Sequence, residues 1–351
     1  PPLSTLGTAT WSRQKERAEA ACADMAADLL RMQAVRASKD GIAHPPDTEW
    51  QREFEQAFIY QETEDQITVA EEIKKDLESR RPMDRLLCGD VGYGKTELAM
   101  RAAFKVVMGG RQVAVLAPTT ILAMQHYRSF KERMADYPVV VDMLSRFRTK
   151  GQQGATLAAM KEGRVDIVIG THRLVQEDIA FKDLGLVVID EEQRFGVEHK
   201  ERLKRLRETV DVLTLTATPI PRTLHMSMMG LRDISTLQTP PRDRLAIQTR
   251  LWRRDAHKIR QAILREMARD GQVFFVHNRV ETIDRAAQEV RNMVPEARVL
   301  VGHGQMREHE LEDVMRRFID HEADVLVCTT IIESGVDIPN VNTILLDEAD
   351  M

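Results

Sequence analysis

The run Gly89-Asp90-Val91-Gly92-Tyr93-Gly94-Lys95-Thr96 sets glycines, a lysine and a hydroxyl in the order G-x-x-x-x-G-K-[ST]. Glycines at this spacing let backbone N–H groups wrap phosphate oxygens. The lysine brings positive charge to the β and γ phosphates, and the Thr96 hydroxyl can ligate Mg2+. The strand-like run Arg85 to Cys88 precedes it and a helical stretch, Glu97 to Val107, follows. That context makes it a phosphate loop rather than a glycine turn capping a helix.

Further along, the apolar run Leu186 to Ile189 ends in Asp190-Glu191-Glu192-Gln193. Beside a phosphate loop, Asp190 would hold Mg2+ through water and Glu191 would orient or deprotonate the attacking water. A second acidic run, Asp347-Glu348-Ala349-Asp350, also follows an apolar strand. It comes after every other motif, in a second set of strands, whereas hydrolytic acids must share a sheet with Lys95. Thr216-Ala217-Thr218 follows the run Val212 to Leu215 and could couple the phosphate site to another face. Pro118-Thr119-Thr120, Ser145-Arg146-Phe147 and Gly170-Thr171-His172-Arg173 each follow a strand as well. Small hydroxyls and N–H groups in such loops can meet the phosphates of a nucleic acid.

The elements that must position these residues follow from the pattern. Short β-rich runs alternate with helical stretches from Asp84 onward, which implies parallel sheets covered by helices. The first set is Arg85 to Cys88, Gln112 to Ala117, Val139 to Leu144, Asp166 to Ile169, Leu186 to Ile189 and Val212 to Leu215. After Thr239-Pro240-Pro241-Arg242 comes a second set: Gln272 to Val276, Arg298 to Val301, Asp324 to Cys328 and Thr343 to Leu346. Ahead of both, Cys22, Met25, Leu29 and Met32 recur at helical spacing between Trp11 and Arg36. His44-Pro45-Pro46 then interrupts the chain before a second helix, Thr48 to Ala57.

Composition is that of a soluble globular enzyme: 43% hydrophobic and 30% charged residues in 351 exclude a disordered or collagen-like chain. The formal charge of −5 excludes a uniformly basic nucleic-acid coat but leaves room for a local positive track. Apolar runs are strand-length, so no membrane segment is expected, and without an export signal the cytoplasm is the expected compartment. Cys22, Cys88 and Cys328 are too scattered for a disulfide framework or a metal site.

Taken in order, these motifs resemble superfamily 2 helicases. DRLLC running into the phosphate loop, GTHRL at Gly170 to Leu174, DEEQRFGV at Asp190 to Val197 and LTLTATPIPRTL at Leu213 to Leu224 are similar to bacterial transcription-repair coupling factors. RecG-type fork helicases share several of them. The runs Pro82 to Glu97, GHGQMRE at Gly302 to Glu308 and VCTTIIESGVDIPN at Val327 to Asn340 favour the coupling factors. So do Leu6-Gly7 and the first helix, which resemble a segment relaying from a polymerase-binding module.

The resemblance implies an α/β chain of two RecA-like P-loop domains with parallel sheets, over residues 51–238 and 239–351, the second incomplete. A helical relay or linker over residues 1–50 precedes them. It implies an ATP- and Mg2+-dependent motor on double-stranded DNA. The full-length parent would also engage RNA polymerase and a damage-recognition protein of nucleotide excision repair. Gln66 would read adenine through its amide, with Phe58 or Tyr60 stacking on it. Gln193 would tie the acids to Thr216 and Thr218. Asn278, Arg279, His303, Gly304, Thr329 and Thr330 would contact a DNA strand, while Glu333, Gly335 and Asp337 approach the nucleotide. Glu64 stands where the family usually has proline. The family's arginine-rich segment is expected beyond Met351, so weak turnover is expected of this chain. A RecG-like fork remodeller and a nucleotide-dependent scaffold without turnover remain open alternatives.

Overall fold

The computed structural model describes residues 9–146, 148–176, 178–196, 202–203, 206–218, 232–242, 247–329 and 336–348. Its contacts divide into two compact units, residues 1–118 with 126–244, and residues 119–125 with 245–351.

The first unit opens with helix α1 (Ala9–Ser38), then α2 (Glu49–Gln56) and α3 (Glu64–Leu77). Strand and helix alternate from there: β1 (Asp84–Gly89), α4 (Lys95–Met108), β2 (Gln112–Leu116), α5 (Thr120–Arg133, of which the residues up to Gln125 group with the second unit), β3 (Val141–Leu144), α6 (Lys150–Glu162), β4 (Ile167–Gly170). Strands β5 (Leu184–Asp190), β6 (Asp211–Thr216) and β7 (Asp233–Leu237) complete the sheet. The strand order is β3-β4-β2-β5-β6-β1-β7, with every pair parallel. Strands β1, β2, β4 and β6 are buried along their whole length, as expected of strands covered on both faces.

The second unit runs α7 (Ala256–Met267), β8 (Gln272–His277), α8 (Val280–Met293), β9 (Val299–Gly302), α9 (Glu308–Ile319), β10 (Val325–Cys328) and β11 (Val341–Asp347). Its strands are parallel in the order β11-β8-β10-β9. Alternation in β8 feeds two cores. Val273 and Phe275 pack with Ile263, Ile283 and Val290, while Phe274 and Val276 pack with Val314 and Phe318.

The architecture is the two-sheet RecA-like α/β arrangement that the sequence implies, and each strand expected from it lies within two residues of its observed ends. Strand β7 was not expected. Asp-Ile-Ser-Thr-Leu has no apolar run, and its place at the sheet edge leaves only Ser235 and Leu237 buried. Its pairing with β1 is anchored by Arg85, whose guanidinium donates to Ser235, Glu72 and Asp76.

The expected first helix is present, although the side chains of Cys22, Met25, Leu29 and Met32 lie outside those described. Its end is docked: the Arg36 side chain is buried and donates to the Pro82 carbonyl and to Asp84. The connector after it is held too. Gly41 N–H donates to Arg80 O at 2.5 Å, His44 Nε2 lies 3.2 Å from Asp211 Oδ2 within the core, and Asp47 accepts from both Lys74 and Lys105.

Candidate functional site

The phosphate loop joins β1 to α4. Gly92 and Gly94 sit at φ of 80° and 84°, the left-handed region that side chains resist. At Gly94 a Cβ would also fall 2.5 Å from Gln66 Nε2. Helix α4 starts at Lys95 with Gly94 as its N-cap and no side-chain cap, so its first N–H groups turn toward the loop. Lys95 Nζ donates to Gly89 O at 2.5 Å and Asp90 O at 2.9 Å. Burial pulls this ammonium below its ordinary pKa, against the opposing influence of Asp190, Glu191 and Asp90. Thr96 is half-buried beside it.

Strand β5 delivers Asp190 two strands away from β1, and the chain then turns through Glu191 at φ 48°, left-handed for a non-glycine residue. The turn is held from several sides. Glu191 N–H donates to Leu215 O at 2.9 Å. Its carboxylate accepts from Ala217 N–H at 2.8 Å, from the Thr216 hydroxyl at 3.5 Å and from the Gln193 amide. The resemblance implies that Gln193 ties the acids to Thr216 and Thr218. In the structure Gln193 bonds Glu191, which is buried and bonds Thr216 directly, while Thr218 N–H donates to Thr216 Oγ1.

Three residues unmarked by any motif complete this region. His126, on α5, places Nε2 2.9 Å from Asp190 Oδ2. Arg207 and Arg232 each bridge Glu192, at 2.7 and 3.6 Å, to Asp84 at the start of β1. Burial alone would raise the Asp84 pKa, but Arg232, Arg207 and Arg36 together hold it below the usual range. Their sequence signal is faint, since a lone histidine and two scattered arginines resemble ordinary helix and loop residues.

Between α2 and α3, Phe58 and the exposed Tyr60 meet edge to face, ring centroids 5.5 Å apart, and the Arg101 guanidinium lies 5.3 Å over the Phe58 ring. Gln66 is the N3 residue of a capping box on α3: its Oε1 accepts from Thr63 N–H while its Nε2 donates to Tyr93 O, both at 2.9 Å. One amide hydrogen and one lone pair remain for another partner.

The other expected residues fall at the C-terminal edge of the sheets, where open α/β sheets bind ligands. Pro118 to Thr120, Ser145 with Arg146, and Thr171 to Arg173 follow β2, β3 and β4, three adjacent strands, while the phosphate loop and acids follow β1 and β5. Ser145 Oγ is buried with no partner among the described residues. Arg173 is held by Asp178, which raises its pKa. In the second unit Asn278 with Arg279, His303 with Gly304, and Thr329 follow β8, β9 and β10, again adjacent. His303 Nδ1 is buried without a partner among the described residues. Asp337 is exposed, and Thr330, Glu333 and Gly335 lie outside the described residues.

For Mg2+ the donor chemistry fits: the Thr96 hydroxyl and the Asp190 carboxylate are hard oxygen donors. No cluster of three His, Cys, Asp or Glu among the described residues forms a protein-only cage. Cys88, at the loop's threshold, is no reactive thiol, because burial pushes its pKa up to about 11.

The DEAD/DEAH box helicase family matches residues 63–227, and the helicase conserved C-terminal domain matches residues 256–350. Over 350 residues the chain is 58% identical to the transcription-repair-coupling factor of Bacillus subtilis (strain 168) and 55% identical to that of Mycobacterium tuberculosis (strain CDC 1551 / Oshkosh). The chain carries the two helicase domains of superfamily 2 and, over its whole length, is similar to the transcription-repair-coupling factors. All of this chain aligns with those relatives, but it spans only 30% and 28% of their lengths. Among solved structures, RecG bound to a three-way DNA junction superposes with a TM-score of 0.74 at 34% identity, covering 90% of this chain and 43% of that one. Among the described residues, no helix is long and apolar enough to cross a membrane.

Proposed function

We propose that the chain is the ATP-hydrolysing motor of a double-stranded-DNA translocase. In its full-length protein that motor would displace stalled RNA polymerase and recruit a damage-recognition protein of nucleotide excision repair. Residues 51–238 would be the ATP-binding domain, residues 239–351 the second motor domain and residues 1–50 a helical relay. The observation that carries the reading is the hydrogen-bonded path from Glu191 to Thr216 and Ala217, on the same sheet edge as the phosphate loop.

The chemistry follows from the residues. Loop N–H groups and the uncapped start of α4 bind the phosphates of ATP, and Lys95 exchanges its two carbonyl partners for β and γ oxygens. Phe58 or Tyr60 stacks on the adenine, and the spare donor and acceptor of Gln66 read its edge. Thr96 and Asp190 would hold Mg2+, which neutralises charge on the transferring phosphoryl group. Glu191 takes up the attacking water, with its carboxylate oriented by Gln193, Thr216 and Ala217. The hydroxyls and N–H groups after β2, β3, β4, β8, β9 and β10 grip DNA phosphates without reading sequence.

The test is ATPase with and without duplex DNA, together with displacement of a third strand from duplex DNA, in the full-length protein. Duplex-stimulated hydrolysis with strand displacement is expected. Hydrolysis indifferent to DNA overturns the motor reading, and nucleotide binding with no hydrolysis favours a nucleotide-dependent scaffold without turnover. The structural likeness to RecG supports a second reading, a fork remodeller, which would unwind branched DNA and leave stalled polymerase in place.

A further inference from the structure

We infer that His126 is a positioning residue for Asp190, fixing the carboxylate through which this chain would hold its metal ion. The inference rests on the proposed role of Asp190 and adds to it a residue that no motif contains.

His126 lies on α5 between Leu122 and Phe130, so the three residues share one face at a spacing of four. All three are buried, at 1%, 4% and 1% exposure. The His126 and Phe130 rings meet edge to face at 6.5 Å. Packing alone asks only for an apolar side chain in that row. A histidine there costs desolvation unless its ring nitrogens find partners, and Nε2 has one, Asp190 Oδ2 at 2.9 Å. An ionised carboxylate can only accept, so the proton of this bond sits on Nε2. With Oδ2 fixed, the carboxylate plane is fixed, and with it the direction in which Oδ1 is presented. The Asp190 side chain is itself only 14% exposed, which leaves it little freedom to find that orientation unaided.

Partners of this kind around metal-holding groups typically change metal affinity by about 10–100-fold when removed. The test uses the 351-residue chain with ADP and Mn2+ in place of Mg2+, with bound Mn2+ read by electron paramagnetic resonance. His126→Leu keeps the apolar row intact, so it removes the bond without opening a cavity. It is expected to weaken Mn2+ binding in the ADP complex by about 10-fold or more, leaving ADP affinity in the presence of a chelator unchanged. His126→Gln, whose amide can donate to Asp190, should recover much of that loss.

Unchanged Mn2+ affinity in His126→Leu overturns the inference and leaves His126 a satisfied core residue. An equal loss of metal-free ADP affinity does the same, since it marks general damage. Asp190→Asn separates the two levels. If it binds Mn2+ as the parent does, the metal role of Asp190 fails and this inference fails with it. If it loses Mn2+ while His126→Leu does not, only the inference about His126 fails.

Discussion

Two strands of this molecule end in Asp-Glu, one in each sheet, and their immediate surroundings are alike. Asp190 ends β5 and Asp347 ends β11. Each is followed by a glutamate in the left-handed region, Glu191 at φ 48° and Glu348 at φ 53°, and each is bonded by a histidine, His126 at 2.9 Å and His277 at 3.0 Å. They differ in what shares the sheet. From β5 the order runs through β6 to β1 and its phosphate loop. Strand β11 lies beside β8, which leads into Asn278 and Arg279, with neither glycines nor lysine. Asp347 is instead shared between His277 and Arg254, and Glu348 pairs with Arg279 at 3.7 Å. An acidic turn after a buried strand is therefore common geometry, and the phosphate loop turns one of the two into a candidate hydrolytic site.

The largest effect should come from the loop itself. Lys95→Ala in the full-length protein is expected to abolish ATP hydrolysis with an unchanged circular dichroism spectrum, because among the described residues this lysine bonds loop carbonyls rather than the core. Hydrolysis at the parental rate would erase the distinction between the two acidic turns. Next, Glu191→Gln should retain bound ATP without turnover, whereas Glu348→Gln should turn over as the parent does. Equal loss in both variants, at unchanged nucleotide affinity, would mean that sheet membership does not select the hydrolytic acid.

Much of this contrast is legible in the sequence. The phosphate loop, both acidic runs and the strands that carry them stand out because glycine spacing and apolar runs are local signals. The supports are not. Glu191 owes its setting to Ala217 and Thr216 on β6, and Glu192 owes its own to Arg207 and Arg232, bridges made only when distant segments meet. A base-contacting role for Gln66 is implied by the resemblance alone, and its capping-box bond to Thr63 and its reach to Tyr93 emerge only from the fold. Strand β7 carries no such local signal, because its apolar content is low at the edge position it takes.

The arginine bridge gives the third prediction, since the acidic turn of the first unit is braced through Glu192 to Asp84. Asp84→Asn leaves Arg36, Arg207 and Arg232 with one acid fewer and should cost about 3–5 kcal/mol at neutral pH. The folded-state pKa of Asp84 is depressed below its unfolded value near 3.8. Its contribution is therefore fully present above that value and is lost as pH falls through the folded pKa. Urea unfolding from pH 7 downward should show the parent losing this part of its stability below about pH 4, while Asp84→Asn lacks it throughout. Identical acid limbs in the two proteins would show that the bridge does not brace the turn.

The smallest effect belongs to the second unit. Asp347 Oδ2 lies 3.0 Å from His277 Nδ1, while His277 Nε2 lies 2.7 Å from the Thr282 hydroxyl, tying β11, β8 and the start of α8 together. Both Asp347 and His277 have side chains only 5% exposed, so the bond is made away from water. Asp347→Asn keeps the shape and removes the charge, which for a hydrogen bond to a charged group is worth about 1.5–3 kcal/mol. Hydrogen exchange along β8 and β11 should speed up, with nucleotide affinity and turnover unchanged, because no phosphate loop shares that sheet. A loss of turnover matching that of Glu191→Gln would instead give Asp347 a part in hydrolysis, and the two acidic turns could no longer be told apart by their neighbours.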